Sequence, residues 1–134
     1  MADLFVLAFL GHLVGDYLLQ TKRMALGKSA HGWSGLGLCT LHVVLYTIAV
    51  CAFWWTVDPL VVALVFVPHW IIDRWSLGGV WLKVIRGRTF EAAYASTDRY
   101  REFDVAFTSL VYAVVDNTMH LICLWLVIKF VLLK

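Results

Sequence analysis

The sequence predicts an all-α integral membrane protein. It reads as one domain, 1–134, folded as a bundle of four transmembrane helices with a cytoplasmic interfacial loop between helices three and four. Three observations predict this. First, 62% of the 134 residues are hydrophobic and 15% charged, with a mean hydropathy of +0.82. A soluble domain is about half apolar and about a quarter charged, and the excess does not fit inside one small core. Second, the apolar residues gather into four stretches, each near the roughly 20 residues a bilayer-crossing helix needs. Third, ionisable residues inside those stretches recur at a helical interval. An aromatic content of 15% and only two prolines exclude a low-complexity or disordered chain. A net charge of +2 is too small to point to nucleic acid as a partner.

The first stretch, 4–20, starts almost at the initiator methionine. It lacks a basic leader and a small-residue cleavage site, so it reads as a retained helix and not a signal peptide. The second, 36–55, ends ahead of a turn at Asp58-Pro59. The third, 60–77, is expected to stop at Gly78-Gly79. The fourth starts between Val105 and Leu110, so about residue 107, and runs to 128. Between the last two lies the loop 78–104. Within it Val80 to Arg86 reads as an amphipathic interfacial segment broken at Gly87, and Phe90 to Phe103 as a second short helix. That loop is either a connector lying on anionic lipid headgroups or a lid over a site.

Lysine and arginine set the orientation. Lys22, Arg23 and Lys28 fall in loop one, and Arg74, Lys83, Arg86, Arg88, Arg99 and Arg101 in loop three. Only Lys129 and Lys134 fall on the other side. Nine against two places loops one and three in the cytoplasm and both termini outside, in a multi-pass protein of the cell inner membrane. Trp33, Trp54, Trp55, Trp75 and Trp81 fall near span ends, as an aromatic belt requires. Cys39, Cys51 and Cys123 lie in apolar stretches and read as small buried hydrophobes.

The informative residues are those that hydrocarbon disfavours. An ionisable group at a span centre costs about 2.5–3.5 kcal/mol on insertion scales, yet the spans contain His12, Asp16, His42, His69, Asp73, Asp116 and His120. His12/Asp16, His69/Asp73 and Asp116/His120 are each i, i+4 pairs on one helix face. Helices one and three run inward and read His then Asp; helix four runs outward and reads Asp then His. In space every pair therefore sets histidine deeper and aspartate nearer the cytoplasm, with His42 at similar depth on helix two. Neutral imidazole and carboxylate are ligands for zinc, manganese or iron, and helical bundles build such sites from facing helices. Seven such groups suit one or two divalent transition-metal ions, zinc foremost. Some of the aspartates could instead orient imidazoles from outside the coordination sphere.

Neighbouring residues fit around that centre. Gly11 and Gly15 form a Gly-x-x-x-Gly step that permits close helix approach. Pro68 is expected to kink helix three beside His69. Gln20 lies on the Asp16 face, and Tyr46 lies one turn from His42 with a hydroxyl to donate. Lys22, Arg23 and Arg74 stand at the cytoplasmic mouth, where they could hold an anionic headgroup. Asn117 points about 100° from Asp116 and is expected to stand apart. His31 reads as a solvated loop residue. LGHLVGDY at 10–17 and VPHWIIDR at 67–74 also align as a weak internal repeat.

The segment GHLVGDYLLQTKRMA at 11–25, with His42 and the HWIID of 69–73, resembles a family of small bacterial and phage membrane proteins, the domain of unknown function 3307 family. The resemblance covers most of the chain. It implies matching roles for His12, Asp16, Gln20, His42, His69 and Asp73, and no activity. More distantly, the intramembrane His/Asp pattern looks like the YdjM-like membrane-bound metal-dependent hydrolases.

The functional expectation is a membrane-embedded metal-dependent hydrolase. His12, His42, His69 and His120 would be ligands. Asp16, Asp73 and Asp116 would be ligands, bridges or the catalytic base. A site a few turns below the membrane surface suits a lipid or lipid-linked ester or phosphoester. Two rivals use the same residues: a metal-ion or proton transporter, which with four spans would need a homo-oligomer, and a non-enzymatic subunit stapled by its metal. Metal flux into proteoliposomes marks the first, and saturated coordination without turnover the second.

Overall fold

Local signals set where the helices begin and end. In the computed structural model, which describes residues 2–133, α1 spans Ala2–Leu13 and passes into a π-helical turn, Val14–Leu18. Thr21 Oγ1 then accepts the Met24 amide at 3.3 Å to start α2, Lys22–Gly27. α3 is the long helix Gly32–Phe53. Asp58 Oδ1 caps α4, Pro59–Arg74, by accepting the Leu60 and Val61 amides at 2.8 and 3.2 Å. Pro59 at its first position gives up no needed hydrogen bond. α5, Leu77–Arg86, closes on Gly87 in the left-handed region at φ 60°. Thr89 caps the short α6, Phe90–Ala95, and α7 runs Arg101–Val127 before a second π-helical turn, Ile128–Leu132. No strand occurs among the described residues.

Among the described residues the structure is all-helical, and two or three helices are long and apolar enough to cross a membrane. α3 and α7 with its terminal turn are long and apolar enough by themselves, and α4 with α5 makes a third candidate if that bent pair is one span. The expected first span is shorter as an α-helix, because the π-helical turn interrupts it at Val14. The expected third boundary is also displaced. α4 ends at Arg74, and α5 departs from it at 54°. Ser76, at φ 47°, makes the corner. Gly78-Gly79 lies inside α5 and does not end a helix. A Cβ on Gly78 would come within 3.2 Å of Asp116 and 3.3 Å of Tyr112, so glycine there lets α5 lie against α7. α4 continues unbroken through Pro68.

α1, α3, α4 and α7 pack in a closed ring, α1 on α3, α3 on α4, α4 on α7 and α7 on α1. One end of the ring is filled by Ala8, Val50, Trp54, Val65, Leu124 and Ile128 among others. Trp54 belongs to this core and not to an interfacial belt. It is 8% exposed, and its indole N–H donates to the Leu4 carbonyl at 3.0 Å. Trp33, Trp55 and Trp75 are exposed. α5 is amphipathic as expected: Gly78 and Leu82 are buried, while Val80, Val84 and Ile85 are exposed beside Lys83 and Arg86.

Glycine sets the α1–α3 spacing. A Cβ on Gly11 would lie 2.8 Å from Val50 Cα, and one on Gly15 2.6 Å from the Tyr46 ring. Gly11 meets backbone, which cannot rotate away. Gly11→Ala is therefore expected to destabilise the bundle by about 1–3 kcal/mol, the usual cost of overpacking. Gly37→Ala is the control, since nothing lies within 4 Å of its added Cβ; it should be neutral or stabilise by up to about 1 kcal/mol. Thermal unfolding of both variants in detergent checks the pair.

Candidate metal centre

The ring of helices brings the seven sequence-selected histidines and aspartates into one buried cluster. α1 supplies His12 and its π-helical turn Asp16; α3 supplies His42; α4 supplies His69 and Asp73; α7 supplies Asp116 and His120. All four histidines and Asp73 are at most 2% exposed. Among the described residues, two overlapping groups have ligand atoms within 4.8 Å of one another: Asp16, His42 and His69, and His69, Asp73 and His120.

Four atoms form the centre of this cluster. His42 Nε2 lies 3.3 Å from Asp16 Oδ1, 3.1 Å from Asp73 Oδ2 and 3.2 Å from His69 Nε2. His69 Nε2 lies 3.6 Å from Asp16 Oδ1 and 3.2 Å from Asp73 Oδ2. Metal–ligand bonds of about 2.0–2.1 Å imply ligand–ligand edges of about 3.0 Å in an octahedron and about 3.3 Å in a tetrahedron. Four of the five distances fall in that range, and the His69–Asp16 distance of 3.6 Å lies just beyond it.

Hydrogen bonding alone does not account for them. An imidazole nitrogen has either one N–H or one lone pair, yet His42 Nε2 has four polar neighbours, Gln20 Nε2 at 3.1 Å included. Asp16 Oδ1 and Asp73 Oδ2 are buried beside these nitrogens and hydrogen-bonded to none of them. Carboxylate lone pairs buried without a donor are what a cation requires. The His/Asp groups could therefore hold a metal ion.

A family model described as a protein of unknown function, DUF3307, matches residues 4–134. The chain belongs to the DUF3307 family. No curated protein and no solved structure matches it.

The remaining residues of this DUF3307 chain take distinct places. His12 stands beside both groups, with its nitrogens engaged elsewhere. Nε2 is 2.6 Å from Asn117 Oδ1, and Nδ1 is 3.2 Å from both the Tyr46 hydroxyl and Asp16 Oδ2. The Asn117 amide nitrogen donates to the Ala113 carbonyl at 2.7 Å, so its oxygen faces His12 and accepts the Nε2 hydrogen. Asn117, expected to stand apart, is thus part of the cluster's hydrogen-bond network. Its 100° offset from Asp116 turns it towards α1, where His12 lies. Asp116 also lies outside both groups, with Oδ2 3.6 Å from His120 Nε2 and Oδ1 without a partner. The Tyr46 ring covers His69, with centroids 3.6 Å apart, and His69 stacks on His120 at 3.9 Å.

Lys28 is the main departure from the sequence reading, which counted it only as a loop charge. Its ammonium donates to Asp73 Oδ1 at 2.8 Å, with side chains 11% and 0% exposed. Burial alone would lower the Lys28 pKa; the Asp73 carboxylate outweighs it and leaves the value raised. The residues proposed for a headgroup are arranged differently. Lys22 and Arg23 are exposed on the first turn of α2. Arg74 donates to the Ala30 carbonyl at 2.9 Å, which ties α4 to the α2–α3 connection. A cavity of about 170 Å³ adjoins the cluster, lined by Asp16, Tyr17, Gln20, Lys28, Asp116 and Asn117 among others. The π-helical turn carrying Asp16 was not foreseen; such turns are frequent at functional sites.

Proposed function

We propose that the chain is an integral-membrane metal-dependent hydrolase acting on an ester or phosphoester of a lipid or lipid-linked substrate. The observation that supports it most is the set of four converging atoms, His42 Nε2, His69 Nε2, Asp16 Oδ1 and Asp73 Oδ2, whose two carboxylate oxygens lack donors. In this reading α1 with its π-helical turn, α3, α4 and α7 are four spans. The termini face outward, and α2, α5 and α6 lie at the cytoplasmic face of the inner membrane. Zinc, or else manganese or iron, fits the donors. Held by His42, His69, Asp16 and Asp73, such an ion would supply an acidified water and polarisation of the scissile oxygen.

The chain's own residues supply the rest. His12, held by Asn117 and Tyr46, packs behind Asp16, with Nδ1 3.2 Å from its Oδ2. Asp116 Oδ1, beside the cavity and unpartnered, takes up the proton released on hydrolysis. Gln20 and Lys28 line the way in, and exposed Lys22 and Arg23 meet an anionic headgroup at the mouth. The looser likeness of the His/Asp pattern to the YdjM-like hydrolases is the sequence's contribution to this reading.

The test is turnover of a panel of phospholipids and lipid phosphates by the detergent-purified chain, before and after chelation and zinc restoration. Chelation should abolish turnover and zinc restore it. Asp116→Asn should keep its metal yet lose about 10²–10⁴-fold in rate, the usual worth of a positioned base. A second reading has an observation of its own: four protein donors are the coordination of a structural zinc site. A metal staple predicts bound metal, unfolding on chelation and no turnover of any lipid in the panel.

A further inference from the structure

The two oxygens of Asp73 face different surroundings. Oδ2 lies against His42 and His69. Oδ1 lies 3.5 Å from His120 Nε2, which is 3.6 Å from Asp116 Oδ2. His120 is 2% exposed, yet neither ring nitrogen has a hydrogen-bond partner, and Asp116 Oδ1 has none either. Two carboxylates and an imidazole are donors for a second divalent ion, with Asp73 as the bridge of a two-metal centre. The Oδ1 side, however, already has a cation: the Lys28 ammonium at 2.8 Å, a charge-assisted distance.

The charges agree with that occupancy. Asp16, Asp73 and Asp116 contribute three negative charges, and Lys28 one positive charge, with the histidines neutral as ligands. One dication makes the buried centre neutral. Two would leave an excess of two positive charges in a site with little access to water, where uncompensated charge is costly.

We propose that the centre takes a single divalent ion on the Oδ2 side of Asp73, and that Lys28 is its permanent second cation, standing where a two-metal site would have its other ion. The inference rests on the metal reading above and deepens it: Lys28, which also lines the cavity, presents a fixed ammonium to an anionic oxygen of the substrate.

The test is zinc stoichiometry. The full chain in detergent is stripped by chelation, dialysed against excess zinc, washed and analysed for metal, as wild type, Lys28→Arg and Lys28→Met. Wild type and Lys28→Arg should retain about one equivalent and Lys28→Met about two, because a neutral side chain of similar length frees Oδ1 for a metal ligand bond. Adding Asp116→Asn to Lys28→Met should return the count to about one. Two equivalents in wild type would overturn the proposal and leave the metal reading standing. One equivalent in a folded Lys28→Met protein would do the same. No zinc in wild type would overturn both. If Lys28→Met does not fold, the wild-type count decides by itself.

Discussion

Asp73→Ala is expected to abolish metal binding and to destabilise the bundle more than any other single change in the cluster. Its carboxylate touches His42, His69, His120 and Lys28 at 2.8–3.5 Å and is fully buried. Removing it leaves the Lys28 ammonium buried without a counter-charge, which costs about 3–5 kcal/mol when one member of a buried pair is deleted. The stability lost with the metal adds to this. Equilibrium unfolding of the metal-free forms in detergent isolates the first contribution. The double variant Asp73→Ala/Lys28→Ala should be more stable than Asp73→Ala, since the stranded charge is gone. A double variant less stable than the single one would show that Lys28 does not depend on Asp73.

His69→Ala and His12→Ala should separate two kinds of histidine that the sequence presents alike. His69 Nε2 is within 3.6 Å of three other donors at the centre, so His69→Ala should lose the metal altogether. His12 has Nε2 bonded to Asn117 and Nδ1 to Tyr46, so His12→Ala should weaken metal affinity by about 10–100-fold, as loss of a supporting partner beside the centre does. Zinc titration against a competing chelator measures both. Equal loss in the two variants would make His12 a ligand and displace the four-atom centre.

The contrast shows where local periodicity stops being informative. The three His/Asp pairs were legible because i, i+4 spacing puts two side chains on one helix face whatever the surroundings. Their convergence was legible because the order reverses when the helix direction reverses. Helix termini were legible where a cap is local, as at Thr21, Asp58 and Thr89. Gly78-Gly79 misled, because glycine serves close approach as well as chain termination, and only the position of α7 distinguishes the two uses.

By itself the sequence determined an all-helical chain, membrane-compatible helices and a His/Asp cluster able to hold a metal, since composition and helical spacing act within a few residues. Only the tertiary structure decided which nitrogens face the centre, that Asn117 completes the His12 network from 105 residues away, and that Lys28 is buried against Asp73. Lys28 lies 45 residues from Asp73 in a segment with the composition of an ordinary basic loop. The physical reason is that an ion pair forms where the packed helices exclude water, and that exclusion belongs to the assembled bundle and to no single segment of it.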